Sequence, residues 1–201
     1  MPLISVVIPV HNAASRIKEA LEKLALLSLD KEIIVVNDAS SDGTERVLND
    51  LHLAGLKVIH HGSKRGRDAA VLTGISQAGG EFTIVQDASR GCYDPIYLQA
   101  LADFAVKNHY SVVYGSRIGS SRAVPLGERL LTAFFNLFFG SHLTDLRTPY
   151  KLVRTVLLKG SAAKPGDLCD FELTAKLIRK GYKITEMRLN FPERIKNGNE
   201  G

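Results

Sequence analysis

Cysteine is scarce in this sequence, since only Cys92 and Cys169 among 201 residues carry a thiol. The two lie far apart and in no spacing typical of a metal site, which favours a reduced, cytosolic setting. No stretch reaches the ~18 apolar residues that a membrane-spanning helix needs. The first residues, from Met1 to Ser5, do not combine a basic segment with a long apolar run, so no signal peptide is predicted.

The sequence also lacks a large excess of charge of one sign. The 26 Lys and Arg residues outnumber the 21 Asp and Glu residues by a formal charge of +5. Because the basic residues are dispersed, the sequence does not predict binding to nucleic acid, although the charge suits an anionic ligand or an anionic membrane surface. A hydrophobic content of 45% and a charged content of 23% are typical of a soluble globular protein. The length fits a single domain over residues 1–201.

Three apolar segments end abruptly in polar residues. In an open α/β sheet, ligands collect at the carboxyl ends of the strands, so the pattern predicts one shared site. The alternative is three ordinary strand ends whose Asp and Ser residues cap the helices that follow. The segments are Phe82–Val85, followed by Gln86-Asp87-Ala88-Ser89; Ile4–Ile8, followed by Pro9-Val10-His11-Asn12; and Ile33–Val36, followed by Asn37-Asp38-Ala39-Ser40.

Strand-like and helix-like segments alternate along the first 115 residues. Short loops join them, which predicts an α/β fold with a Rossmann-like, mostly parallel central sheet flanked by helices. Asn12 is a predicted N-cap of the first helix, and Asp42 is predicted to cap a helix that runs to about Leu53. A later segment, Leu130–Phe139, is too short to span a bilayer and too apolar for a fully exposed helix. It predicts either a helix at a membrane surface or a buried core helix, and periodicity leaves both open.

Five blocks of the sequence resemble family 2 glycosyltransferases of the GT-A fold. They are SVVIPVHN, VNDASSDGT, RGRDAAVLTGISQAGGEFTIVQDAS, the GSR after the fifth strand, and TPYKLVR. The last two blocks, and the helix between them, look most like the polyprenol-phosphate glycosyltransferases, the subgroup of the dolichol-phosphate mannose synthases. The resemblance implies one GT-A domain, with a nucleotide-sugar-binding half (residues 1–115), an acceptor-binding half (116–194) and a loose tail (195–201).

The family's activity gives these blocks expected roles. The resemblance implies inverting transfer of a sugar from a nucleoside diphosphate sugar, UDP- or GDP-linked, to polyprenyl phosphate (dolichyl or undecaprenyl) at the cytoplasmic membrane face. Asp38 matches the carboxylate that recognises the base, and a carboxylate can accept N–H bonds from uracil or guanine. The expected donor-binding residues are Pro9, Asn12, Asp38, Arg67, Asp68, Asp87, Ser89 and Arg90. Asp87 and Arg117 are the expected catalytic residues, and Arg117, Arg122 and Arg129 the expected acceptor-phosphate ligands.

The metal motif of the family is incomplete here. The second acid of Asp-x-Asp is replaced by Ser89, and Gly91 stands where the subgroup often has a further ligand. Mg²⁺ and Mn²⁺ prefer hard oxygen ligands, so Asp87 alone predicts a weak site, which Arg90 could partly replace as a source of positive charge. Two readings stay open: metal held by Asp87 with the donor phosphates, or binding without metal. The altered acids also leave an alternative function, a catalytically impaired nucleotide-sugar-binding protein that acts through a partner.

The acceptor side needs no obvious general base. A phosphate monoester has a second pKa of about 6 and is largely dianionic at neutral pH. A sugar hydroxyl would need a base, for which Asp170 or Glu172 is the candidate. The alternative is that the arginines of this half are ordinary surface residues. The expected partners are a nucleotide sugar, a polyprenyl phosphate lipid and a membrane surface, with a membrane protein or a second copy of the chain as further options.

Overall fold

The computed structural model describes residues 3–86, 95–118, 124–162 and 164–189. These residues form seven strands and seven helices. The strands are β1 (Ile4–Val10), β2 (Lys31–Asn37), β3 (Leu56–His60), β4 (Phe82–Val85), β5 (Val112–Ser116), β6 (Lys151–Arg154) and β7 (Thr185–Arg188). The helices are α1 (Ala14–Ala25), α2 (Thr44–Asn49), α3 (Arg67–Gln77), α4 (Ile96–Lys107), α5 (Leu126–Phe139), α6 (Thr155–Ser161) and α7 (Asp170–Arg179).

All seven described strands form one sheet in the order β3-β2-β1-β4-β6-β5-β7. β1 pairs in parallel with β2 and β4, and β5 pairs in parallel with β7. Only β6 runs antiparallel to its neighbours, β4 and β5. The carboxyl ends of the six parallel strands therefore share one edge, and the start of β6 lies at that same edge. The prediction of an α/β fold with a mostly parallel sheet is confirmed.

The core has two layers because side chains of a strand alternate between the two faces of a sheet. In β1, Val6 and Ile8 pack in the cluster that contains Ile17 and Leu21 of α1. Val7, between them, packs on the opposite face, in the cluster of α3, α6 and α7. β1 is buried along its whole length, as expected for a central parallel strand. Helices therefore cover both faces of the sheet, and a ligand has access to it at the ends of the strands.

Helix α3 lies unusually close to the sheet. A Cβ atom built on Gly74 would lie 2.3 Å from Cγ1 of Val7 and 3.4 Å from Cγ2 of Val36. No side chain fits there, so this glycine sets the distance between helix and sheet. The start of α3, with Arg67 and Asp68, is thereby held at the edge where the strands end.

Helix α5 exposes much of its apolar surface. Among its residues only Thr132 and Phe135 are buried. Exposed large apolar side chains on this helix are Leu126, Leu130, Leu131, Phe134, Leu137 and Phe138, and the last two are 78% and 79% exposed. The reading of this segment as a buried core helix is therefore wrong. Within the ranges that the structure describes, no helix is both long and apolar enough to cross a membrane.

The structure differs from the sequence predictions in four local features. The N-cap residue of α2 is Gly43 instead of Asp42. Asn12 is not an N-cap: its φ of 54° is left-handed, whereas an N-cap has extended backbone. α2 ends at Asn49 instead of near Leu53, since Asn and Asp are poor helix formers. α6 was not predicted from the sequence. Its segment starts with two β-branched residues, contains a glycine and buries only one leucine, Leu158. None of these differences alters the order of the strands.

The close approach of α3 can be tested with two helical glycines. Gly74→Ala is expected to destabilise the protein by about 1–3 kcal/mol, because overpacking forces the helix or the side chain of Val7 to move. Gly127→Ala in α5, where an added Cβ would meet nothing within 4 Å, is expected to stabilise it by up to about 1 kcal/mol. Urea unfolding measures both. Equal effects of the two substitutions would contradict the packing described here.

Candidate functional site

The loops that follow β1 and β2 are tied to each other by hydrogen bonds. Oδ1 of Asn12 accepts a bond from the N–H of Ser41, and the N–H of Asn12 donates to Oγ of Ser40, both at 2.9 Å. The start of α1 is capped from the second loop, since Oδ2 of Asp42 accepts from the N–H of Ala14 at 3.0 Å. The left-handed backbone of Asn12 turns its amide side chain toward this loop. The two loops thus form one wall at the carboxyl edge of the sheet.

Asp38, at the end of β2, is the best-connected carboxylate of this wall. It is buried, and it accepts hydrogen bonds from Nδ1 of His61 (2.8 Å) and from the N–H groups of Arg65 (2.8 Å) and Gly66 (2.7 Å). Burial alone would raise the pKa of Asp38, but these bonds together lower it below its ordinary value. The carboxylate is therefore ionised at neutral pH, and its stabilising contribution is lost only as the pH falls through that lowered pKa.

His61 connects this carboxylate to helix α3. Its Nε2 lies 3.0 Å from Oγ1 of Thr73, while its Nδ1 faces Asp38. No role for this histidine was predicted from the sequence. The available signal was its place directly after β3, at the same edge of the sheet as Asp38.

A cleft of about 450 Å³ opens beside α3, between the starts of α5, β6 and α7. It brings together three residues predicted from the sequence, Arg67, Asp68 and Arg117. Its charged lining is completed by Glu128, Arg147, Lys151 and Asp170, and its apolar lining consists of Val71, Val85, Val153, Leu158, Leu168 and Leu173. A cavity with charged and apolar walls suits an amphipathic or sugar-containing ligand with anionic groups.

Six charged residues form an alternating series along this cleft, which we call the charge ladder. In order they are Asp145, Arg117, Glu128, Arg147, Asp170 and Lys151. Each acid lies beside one or two bases, so the ladder is neutral as a whole. It links the end of β5, the start of α5, the loop before β6 and the start of α7. One end, Asp145, is buried and the other end, Lys151, has a side chain that is 11% exposed, whereas the side chain of Arg147, near the middle, is 51% exposed.

Arg117 is held rigidly within the ladder. Its Nε and Nη2 each donate to a different oxygen of Asp145 at 2.7 Å, and Nη2 also donates to Glu128 at 2.8 Å. Hydrogen bonding to Asp145 raises the pKa of Arg117, so it is a permanent cation. Asp145 is fully buried, and the two-pronged contact gives its charge a partner. The structure thus places Arg117 in the cleft but directs its fork at Asp145; its contact with acceptor phosphate stays a prediction.

Lys151 closes the other end of the ladder. Its Nζ donates to Oδ1 of Asp170 and lies 5.3 Å from the ring centroid of Tyr114. Burial lowers the pKa of Lys151, and the neighbouring Asp170 opposes that shift. Because Asp170 is engaged by Lys151, its availability as a base for a hydroxyl acceptor is reduced.

The remaining predicted residues lie apart from the cleft or outside the described ranges. Pro9 is buried in β1, where it pairs with Val36. Arg129 is exposed on α5 and is not among the cleft-lining residues. The predictions for Asp87, Ser89, Arg90 and Arg122 fall outside the residues that the structure describes.

Four residues of the ladder were not predicted from the sequence. These are Glu128, Asp145, Arg147 and Lys151. Lys151 belongs to the TPYKLVR block that carried the family resemblance, and Arg147 directly precedes that block, so position in the block was the available signal. The pairing partners could not be identified, because Asp145 and Arg117 are 28 residues apart in the chain.

A metal centre is not assembled within the described residues. Among them no group of three or more His, Cys, Asp or Glu side chains could hold a metal ion. The predicted ligand Asp87 lies outside these ranges, so the metal requirement stays a prediction.

The chain is similar in sequence to proteins that are named as mannosyltransferases or as a phosphomannose synthase. It is 28% identical to the polyprenol monophosphomannose synthase of Mycolicibacterium smegmatis, over 94% of this chain and 77% of that protein. It is 25% identical to the undecaprenyl-phosphate mannosyltransferase of Micrococcus luteus, over 94% of this chain and 83% of the relative. A dolichol-phosphate mannosyltransferase of Pyrococcus furiosus is 32% identical, over 57% of this chain and 33% of the relative.

Solved structures show the same fold at low sequence identity. Glucosyl-3-phosphoglycerate synthase of Mycobacterium tuberculosis, crystallised with Mn²⁺, UDP and glucosyl-3-phosphoglycerate, superimposes with a TM-score of 0.71 at 19% identity, over 96% of this chain and 73% of that one. A TarS fragment of S. aureus, crystallised with UDP-GlcNAc, has a TM-score of 0.65 at 23% identity. This chain spans 59% of the TarS fragment. The GT-A fold implied by the sequence blocks is confirmed.

The family model described as Glycosyl transferase family 2 matches residues 5–159. That range contains both loops of the wall around Asp38, helix α3 and all of the charge ladder except Asp170. With well over half of its length matched, the chain belongs to glycosyl transferase family 2.

Proposed function

We propose that this glycosyltransferase moves a sugar from a nucleoside diphosphate sugar to polyprenyl phosphate, with inversion at the anomeric carbon. The observation that carries the proposal is the cleft, which gathers Arg67, Asp68 and Arg117 at the edge where the parallel strands end. Support for the acceptor class comes from the two relatives that match nearly the whole chain, which are named as polyprenyl-phosphate mannosyl enzymes. The relatives are named as transferases or synthases, which does not favour a binding protein without activity.

The donor half is proposed to comprise residues 1–115. Asp38 is the proposed ligand of the base, since it directly follows β2 at the edge where the strands end and stays ionised through its three donors. The start of α3 supplies Arg67 and the positive end of the helix dipole, and such a helix start favours an anionic diphosphate. Two proteins of similar fold were crystallised with uridine nucleotides, which is consistent with this arrangement.

The acceptor half is proposed to comprise residues 116–194. An oxygen of the acceptor's phosphate dianion attacks the anomeric carbon of the sugar. The bond between that carbon and the diphosphate oxygen breaks, and the nucleoside diphosphate leaves with the bonding electrons. No proton has to be removed from a dianionic phosphate, so the engaged state of Asp170 is no obstacle. Arg117 supplies fixed positive charge beside the reacting groups without having to reorganise. A metal ion held by Asp87 would add positive charge at the diphosphate.

Helix α5 is proposed to rest on the membrane that contains the lipid acceptor. Its exposed side carries phenylalanine and leucine side chains, and Arg129 is exposed on the same helix. An apolar face flanked by a basic residue is typical of helices that lie in a lipid interface. The first turn of α5 contains Glu128, which lines the cleft and belongs to the charge ladder. A lipid whose tail lies on the apolar face of α5 can therefore keep its phosphate at the ladder.

The role of Asp38 is tested by nucleotide binding. Asp38→Ala is expected to weaken the affinity for UDP or GDP by ~1.5–3 kcal/mol, roughly tenfold to over a hundredfold, through loss of a charged hydrogen bond. His61→Gln removes one tether of the same loop but leaves the carboxylate, and it should weaken binding less. Titration calorimetry on folded variants measures both. If the two variants lose equal affinity, Asp38 acts by holding the loop and does not contact the base.

The role of Arg117 requires a double substitution. Arg117→Ala leaves the buried charge of Asp145 without its main partner, so we expect a stability loss of about 3–5 kcal/mol together with loss of transfer. Arg117→Ala combined with Asp145→Asn should recover much of the stability but not the transfer. Thermal unfolding and sugar transfer to a polyprenyl phosphate are measured on all variants. Recovery of transfer in the double variant would show that Arg117 only stabilises Asp145.

The membrane role of α5 is tested by flotation with anionic lipid vesicles. Phe134→Ser combined with Phe138→Ser should strongly reduce vesicle binding and leave the unfolding midpoint nearly unchanged, because both side chains are largely exposed. Leu26→Ser at the end of α1, also largely exposed at 83%, is the matched control and should bind like the wild type. Unchanged binding of the double variant would remove α5 from the membrane contact.

A further inference from the structure

We propose that Arg147 is the residue of the charge ladder that binds the acceptor's phosphate monoester. The proposal rests on the function proposed above and adds a residue that the sequence did not indicate. It follows from a comparison of the three cations of the ladder, Arg117, Arg147 and Lys151, in their exposure and in the geometry of their ion pairs.

Two of these cations are already committed to buried or nearby carboxylates. Arg117 donates hydrogen bonds of 2.7–2.8 Å to Asp145 and Glu128, and its side chain is 20% exposed. Lys151 donates to Asp170 and is 11% exposed. Moving either side chain to a ligand would break short hydrogen bonds and uncover a carboxylate. Both therefore act as fixed charges.

Arg147 differs in both respects. Its Nη1 lies 3.5 Å from Oε1 of Glu128 and its Nε lies 3.9 Å from Oδ2 of Asp170. These separations exceed the 2.7–2.9 Å of a good charge-assisted hydrogen bond, and the side chain is 51% exposed. Exposed ion pairs at such distances contribute little to stability, so a better anion can displace them.

The carboxylates beside Arg147 do not depend on it. Glu128 keeps its bond from Arg117 through Oε2, and Asp170 keeps its bond from Lys151 through Oδ1. When Arg147 turns to a ligand, neither acid loses its only cation. The planar guanidinium can then grip two phosphate oxygens at once, which an ammonium group cannot do.

The position of Arg147 also fits a phosphate attached to an apolar chain. The cleft that Arg147 lines has an apolar wall that includes Leu168 and Leu173. Glu128, one of its two carboxylate neighbours, belongs to the first turn of α5. Leu131 follows three residues later, so it lies on the same side of the helix, and it is 41% exposed. A phosphate at Arg147 can therefore continue into a chain that runs along the apolar face of α5.

The test measures binding of farnesyl monophosphate, a short polyprenyl phosphate, by titration calorimetry with and without UDP or GDP. Arg147→Gln is expected to weaken this binding about tenfold or more, since a charged contact is lost. Arg147→Lys should recover only part of the affinity, and the salt dependence should decrease in the glutamine variant. Nucleotide affinity should be unchanged. Arg46→Gln, which removes an equal charge from a 90% exposed side chain on α2, is the control and should bind like the wild type.

Other outcomes separate this proposal from the proposed function. If the wild type and Arg147→Gln bind farnesyl monophosphate equally, Arg147 is not the phosphate ligand, while the lipid-phosphate acceptor stands. If Arg147→Gln weakens UDP or GDP binding to the same degree, Arg147 belongs to the donor side and the proposal is wrong. If the wild type binds nucleotide and yet binds farnesyl monophosphate no better than farnesol, or not measurably, the proposed acceptor class, a polyprenyl phosphate, is wrong. Should the glutamine variant lose stability, Arg147→Lys, which keeps the charge, decides between these outcomes.

Discussion

The antiparallel strand β6, inserted between β4 and β5, determines what lies at the binding edge of this protein. Parallel pairing brings the carboxyl ends of β1, β2 and β4 to one edge, and the antiparallel pairing of β6 with both β4 and β5 brings the carboxyl end of β5 to the same edge. Because β6 alone runs the other way, its amino end, and with it the loop that precedes Lys151, reaches that same edge. The acid and base residues of the charge ladder can meet only for this reason. A parallel strand in this place would have carried that loop to the opposite edge of the sheet.

The two halves of the site use charge in different ways. Around Asp38 a single buried acid is satisfied by a histidine and two backbone amides, so the site is an anion in a cage of donors. In the cleft, acids and bases alternate and neutralise each other, which lowers the cost of keeping several charges in a partly buried place. The first arrangement suits recognition of a neutral base with N–H donors. The second suits a phosphate that enters by replacing weak internal ion pairs.

Helix α5 joins the cleft to a surface of a different chemical kind. Its inner side contributes Phe135 to a small cluster with Leu143 and Leu146, and its outer side leaves large apolar side chains exposed. Glu128 at its start belongs to the charge ladder. One helix therefore contacts the core, the charged cleft and the exterior. That arrangement is what a transferase needs if one substrate is water-soluble and the other is a lipid.

The sequence by itself determined the class of fold, the order of most elements and the family. Apolar strands that end in polar loops are local features, and the order of the short blocks that resemble the family can be read without knowledge of contacts, so Asp38, Arg67 and Arg117 could be named in advance. The tertiary structure alone decided which charges meet. Asp145 pairs with Arg117 across 28 positions, and His61 reaches Asp38 across 23. Such pairs depend on strand order and on the direction of β6. The tertiary structure also decided that the phenylalanine-rich helix α5 is exposed. A helical repeat of apolar residues looks the same in the sequence whether the protein or a membrane covers it.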